Sequence, residues 1–135
     1  MLPSILTLIS WTLVIWVWMY VTRIPAMKAA GINPQDAAEP GALAVLPAGV
    51  RQIADNYNHL HEQPTLFYAL AFYTHLAGTA DAVNIQLAWA YVGLRVVHSL
   101  IQCTVNIVMA RFIIFMLSSL VLLALAVRNM VVVLS

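Results

Sequence analysis

The chain has 135 residues, of which 63% are hydrophobic and 8% charged, and its mean hydropathy is +0.90. A soluble domain carries about 25% charged residues, so this composition belongs to a membrane protein, at a length that suits one small domain. Six Lys and Arg against five Asp and Glu leave a net charge of +1, too little basic charge for a nucleic-acid partner.

The chain opens on "MLPSILTLISWTLVIWVWMYVTR". It lacks a basic leader and a small-residue cleavage site, so it reads as a retained span over about residues 2–21 and not as a signal peptide. A loop of about residues 23–50 follows. It holds four of the six prolines and three of the five glycines, and it is long enough to be functional. The second apolar segment, Thr65 to Ala80, is short for a bilayer. Its helix is therefore expected to start earlier, to run over about residues 52–80, and to be bent or weakened at Pro64. The third and fourth spans are expected at about residues 84–108 and 111–134. Short links between spans two, three and four require antiparallel neighbours. The expected fold is an all-α membrane protein, an up-down bundle of four transmembrane helices forming a single domain over residues 1–135.

Basic residues set the expected orientation. Arg23, Lys28 and Arg51 lie in the first loop, Arg111 ends the third link, and the middle link has Asp81 with no basic residue. Loops one and three are thus expected on the cytoplasmic side, with Arg128 snorkelling at the far end. Cys103 is the one cysteine, so no internal disulfide forms. It reads as a small buried hydrophobe.

Two polar stripes interrupt the apolar pattern. At about 100° per residue, Arg95, His98, Gln102 and Asn106 share an arc of about 80° on span three, and Asp55, Asn58, His59 and Glu62 share about 100° on span two. An arginine at the bilayer centre costs about 2.5–3.5 kcal/mol, so the first stripe must face a helix, a wet cavity or a ligand. Glu62 is the expected counter-ion of Arg95 or Arg111. Polar residues of this kind can simply fix register or glue helices. Two stripes, Arg111 and a Pro-rich loop converging at one end favour a binding site. Arginine, amide and imidazole groups with one buried carboxylate suit an anionic ligand with several carboxylates. Arg111, near a helix N-terminus, can hold a thiolate that arrives on that ligand. The rival reading is a metal or haem bundle, with His59, Glu62 and His98 converging or with His75 and His98 ligating a haem. No spacing matches a zinc or di-iron motif, and His75 reads better as an interhelical hydrogen-bonder.

Four features in order resemble the MAPEG superfamily, the membrane-associated proteins in eicosanoid and glutathione metabolism. They are "NPQDA" at 33–37, "NHLHEQPTLFYA" at 58–69, "RVVH" at 95–98, and Arg111 sixteen residues after Arg95. The resemblance spans nearly the whole chain and is to a bacterial member. It implies a homotrimer of four-helix subunits in the bacterial inner membrane, with glutathione bound between subunits near the cytoplasmic side. Arg111 would stabilise the glutathione thiolate and Asp36 would lie near the reacting centre. Asn58, His59, Glu62, Arg95, His98 and Gln102 would form the glutathione site. The chain departs from the family pattern at Asn58, His59, Gln102 and Phe115. The function implied is a glutathione-dependent transferase or peroxidase acting on small hydrophobic electrophiles supplied by the lipid. The alternative is a non-catalytic member of the same fold with an altered or lost ligand.

Overall fold

A computed structural model describes residues 1–135. It contains five α-helices and no strand: α1 (Leu2–Ala29), α2 (Ala48–His59), α3 (Gln63–Leu76), α4 (Ala82–Cys103) and α5 (Val108–Leu134), with two short 3-10 turns at Asp36–Ala38 and Ala42–Val45 in the first loop. α2 and α3 form the two halves of one leg, so the bundle has four legs. α1 and α5 are each long and apolar enough to cross a bilayer. At 1.5 Å per residue the 28 residues of α1 extend about 42 Å, beyond the ~30 Å of hydrocarbon.

The helix ends follow local chemistry. α1 starts with Pro3 in its first turn, where the missing N–H costs nothing, and stops at Gly31. Gly31 has φ +69°, a backbone conformation that glycine adopts without strain. Its N–H returns to the Lys28 carbonyl, and that of Ile32 returns to Met27, the paired bonds that close a helix C-terminus. α3 closes in the same way at Gly78.

The second leg is not the continuous helix expected over residues 52–80. It breaks between His59 and Gln63. Pro64 explains the break: it has no N–H to give the Leu60 carbonyl, and its ring would clash with that carbonyl in an unbroken helix. In the broken leg Pro64 falls in the first turn of α3, with Glu62 at the cap position. The third leg is also shorter than expected. α4 ends at Cys103, and Asn106, expected on its polar stripe, lies in the link with φ +50°. Asparagine tolerates that left-handed geometry better than most residues.

The core runs along the bundle axis. Ile5, Leu8, Ile15 and Met19 of α1 meet Phe67 and Ala71 of α3, Ala88, Tyr91 and Val92 of α4, and Leu125 of α5. The Phe67 and Tyr91 rings stack 4.6 Å apart. Lipid removes most of the hydrophobic drive between helices, which leaves close packing and interhelical hydrogen bonds to hold a bundle. Fully buried Ser4, Ala71, Ala88, Ser99 and Ser118 let the backbones approach. Only 27 of 135 residues are buried, so most of the apolar surface faces outward.

A polar knot ties the end opposite the first loop. The Asp81 carboxylate caps α4 by accepting the Asn84 N–H at 2.7 Å. Arg128 of α5 donates to Asp81 and to the Asn84 side chain, both at 2.7 Å. Asn84 donates to the Thr79 carbonyl at 2.6 Å, and the Thr79 hydroxyl donates to Asn129 at 2.7 Å. Arg128 was expected only to snorkel; instead it joins the α3–α4 link to α5. The Asn84 amide, helped by the Arg128 guanidinium, holds the Asp81 carboxyl below its ordinary 3.8. Such a group stabilises the fold fully above its unfolded pKa and ceases to do so as pH falls through its lower folded value. The Asp81→Asn variant is therefore expected to melt earlier than the parent at neutral pH. The gap should close as pH drops below 3.8, as a pH series of melting curves in detergent would reveal.

Candidate functional site

Arg95 lies at the bundle centre and is 2% exposed. Its Nε donates to the Tyr91 hydroxyl at 3.1 Å, and its Nη2 donates to the side-chain oxygen of Gln63. The guanidinium sits 4.8 Å from the Phe115 ring centre and 5.3 Å from that of Tyr91, where both ring faces favour a cation. Gln63 in turn donates to Ser119 of α5 at 2.8 Å. Glu62 is not the counter-ion of Arg95 or of Arg111: the one ion pair in the chain is Asp81 with Arg128. The break in the second leg is the reason. It leaves Glu62 exposed at the cap of α3, and the next residue, Gln63, faces the bundle.

Towards the first loop, α2, the joint, and the α4–α5 link enclose a cavity of about 260 Å³ with no apolar residue in its lining. α2 and the joint contribute Gln52, Asp55, Asn58, His59 and Glu62. The facing wall is Gln102 of α4, Asn106 of the link and Arg111 of α5. Arg111 is the fourth residue of α5, in the first turn, where the helix dipole adds positive potential. Its Nη1 donates to the Asn106 side-chain oxygen. The left-handed turn at Asn106 thus aims the guanidinium.

Two polar atoms of this wall have no partner. The Arg111 Nε and the Gln102 Oε1 are both buried without a hydrogen bond, and Gln102 is 2% exposed. Buried polar groups are almost always satisfied, and an orphan costs about 1–3 kcal/mol. A donor and an acceptor left unsatisfied beside an all-polar cavity are groups that a small side-chain shift would offer to a polar ligand or a bound water.

Of the residues singled out in the sequence, Asp55, Asn58, His59, Glu62, Gln102, Asn106 and Arg111 come together around this cavity. Arg95 and His98 lie behind its wall. His98 is 5% exposed, with its ring 6.2 Å from those of His59 and Phe115. Asp36 is exposed on the first loop and does not line the cavity within the single chain. Gln52 was missed. It shares the face of Asp55 and His59 by helical spacing, so extending the stripe one turn back would have found it. Besides lining the cavity, its amide donates to the Cys103 and Thr104 carbonyls at 3.3 and 3.1 Å, satisfying the end of α4. Gln63 was missed as well. Nothing in a periodic pattern separates it from Glu62 until the leg is known to break. His75 is exposed at the end of α3 and bridges no helices. No group of three or more His, Cys, Asp and Glu side chains is arranged to hold a metal ion.

The fold and this cavity together define a helical membrane protein with an all-polar pocket at one end, whose charged groups are Arg111, Asp55 and Glu62. The MAPEG family model matches residues 2–131, nearly the whole chain, and the protein belongs to the MAPEG family. No match was found among curated proteins or among solved structures.

Proposed function

We propose that the protein is a membrane-bound, glutathione-dependent transferase or peroxidase for small hydrophobic electrophiles, with the tripeptide thiol bound in the all-polar cavity. The observation that carries this reading is the all-polar cavity with Arg111 in its wall, in a chain of this family, with Arg111 Nε and Gln102 Oε1 unsatisfied in that wall. Glutathione offers what the lining lacks. Its carboxylates suit Arg111 and the surrounding amides, its ammonium suits Glu62, and its peptide groups supply donors for Gln102.

In this reading Arg111 holds the thiolate. The thiol, whose ordinary pKa is about 8.5, releases its proton to solvent, and the sulfur is retained as an anion against the guanidinium. In transfer, the sulfur forms a bond to the electrophilic carbon while the leaving group departs with the bonding pair. In peroxide reduction, sulfur attacks oxygen and releases an alcohol, and a second glutathione converts the sulfenic acid to disulfide and water. Holding thiolate and electrophile together supplies much of the remaining rate. Arg95 and His98 support the wall from behind, and Asp36 reaches a site of this kind across a subunit boundary. The same reading has a multi-pass homotrimer in a bacterial inner membrane, with the first loop and the α4–α5 link facing the cytoplasm.

Isothermal titration of the purified protein with glutathione, in a detergent that keeps its oligomer, tests the proposal. Heat of binding at or below the millimolar range is expected, and Glu62→Gln should weaken it about tenfold by removing a charged partner of the ammonium. Absence of binding at millimolar ligand would leave the other reading, a member of the family whose ligand has been altered or lost.

A further inference from the structure

A second cavity, of about 280 Å³, adjoins the first, shares Asp55 and Asn58 with it, and differs from it in the rest of its lining. Its charged and polar groups are Arg23 of α1 with Arg51, Asp55 and Asn58 of α2, and the other five of its nine lining residues are hydrophobic. Three charges therefore surround one space, yet none pairs with another, since the chain's one ion pair is elsewhere. Arg51 is held in place by its Nε, which donates to the Leu46 carbonyl at 3.0 Å, leaving the rest of the guanidinium free. Arg23 makes no side-chain hydrogen bond. Opposite charges kept apart across a cavity are arranged for a ligand that has both signs.

We propose that this cavity seats the headgroup of an aminophospholipid, with the phosphate diester between Arg23 and Arg51 and the primary ammonium on Asp55. Three features favour a lipid over a soluble zwitterion. The lining is mostly apolar, from Leu43, Leu46, Val50 and their neighbours, whereas the cavity beside Arg111 has no apolar residue. Arg23 follows about 20 apolar residues of α1, which at 1.5 Å each reach the ~30 Å depth of the hydrocarbon, so its head lies at headgroup level. Below it on the same face of α1, by helical spacing, stand Tyr20 and Trp16. Both are 44% exposed and pack edge-on at 5.4 Å. Such rings mark a membrane interface, and they line the path an acyl chain takes from the cavity into the bilayer.

Native mass spectrometry of the detergent-solubilised protein, with phosphatidylethanolamine, phosphatidylcholine and phosphatidylglycerol competing at equal concentration, tests this. Phosphatidylethanolamine should be retained about tenfold better than phosphatidylcholine, whose quaternary ammonium has no N–H for Asp55. Asp55→Asn should remove that preference. Arg23→Gln, which breaks no side-chain hydrogen bond or ion pair within the chain, should lower retention of every phospholipid about tenfold. Equal retention of the three lipids by the parent would overturn the proposal, as would retention unchanged in Arg23→Gln. Two further arms identify the source of the chemistry. If free phosphoethanolamine binds and the lipid does not, the site is for a solute and the assignment fails. If saturating glutathione displaces the lipid, the cavity belongs to the thiol site and the assignment fails again. Retention unaffected by glutathione supports the proposal whether or not the protein turns thiols over.

Discussion

Replacing Arg111 with alanine is expected to lower thiol-transfer turnover by about 100-fold or more, the cost of removing one preorganised group from a developing or stored anion. Affinity for glutathione should fall much less, because Glu62 and the amides of the cavity still hold the rest of the molecule. The split between kcat and binding is the diagnostic quantity. Arg111→Lys keeps a charge but not the planar fork, and it should recover only part of the loss. Asn106→Ala gives a finer test. It leaves the guanidinium in place but removes the side-chain oxygen that Arg111 Nη1 donates to, so turnover should fall by less than in Arg111→Ala. Steady-state kinetics beside calorimetric titration checks all three. Equal loss of turnover and affinity in Arg111→Ala would reduce Arg111 to a simple binding group.

The largest effect on stability is expected at Gln63. Its oxygen accepts from Arg95 and its amide donates to Ser119, so one side chain joins α3, α4 and α5. Gln63→Leu would leave Arg95, 2% exposed, with a hydroxyl and two aromatic faces as its remaining partners. Hydrogen bonds to charged groups contribute about 1.5–3 kcal/mol, and an uncompensated buried charge costs more. A loss of about 2–4 kcal/mol is therefore expected, while Glu62→Leu one position earlier should change little. Reversible unfolding in micelles measures both. Adding Arg95→Met to Gln63→Leu removes the stranded charge and should recover much of the loss. If the double variant is no more stable than Gln63→Leu, Arg95 is stabilised by something other than this amide.

Much of the bundle is legible in the sequence. Apolar runs and short links gave the four legs, because lipid demands long apolar helices and short links allow only antiparallel neighbours. Asp55, Asn58, His59 and Glu62, one stripe in the sequence, all line one cavity, whereas of the other stripe only Gln102 and Asn106 reach it. What periodicity could not give was the points where the helix stops. Pro64 was noted as a weakness, but a single proline does not say whether a leg bends or breaks. The break decided which of two adjacent residues, Glu62 or Gln63, turns to Arg95. The same limit applied to Asn106. Counting by 100° kept it on α4, whereas a left-handed turn took it off the helix and made it the rest for Arg111. The end knot of Asp81, Asn84, Arg128 and Asn129 was out of reach for another reason. It joins residues more than forty positions apart, and no local pattern carries that information.

The joint between α2 and α3 has a consequence for motion. One wall of the polar cavity belongs to α2 and the joint, and the other to the paired ends of α4 and α5. Because the leg is broken below the cavity, α2 can loosen without pulling on Phe67 and Ala71 in the core. α2 turns Gln52, Asp55, Asn58 and His59 towards the polar cavity, and local opening of such a water-facing helix takes less free energy than global unfolding, so α2 amides should exchange hydrogen for deuterium sooner than those of α3. A ligand bridging the two walls would close that difference. The cavity then acts as a latch: occupancy is recorded in the exchange rate of a single short helix, and how quickly the latch reopens sets a ceiling on how fast product leaves.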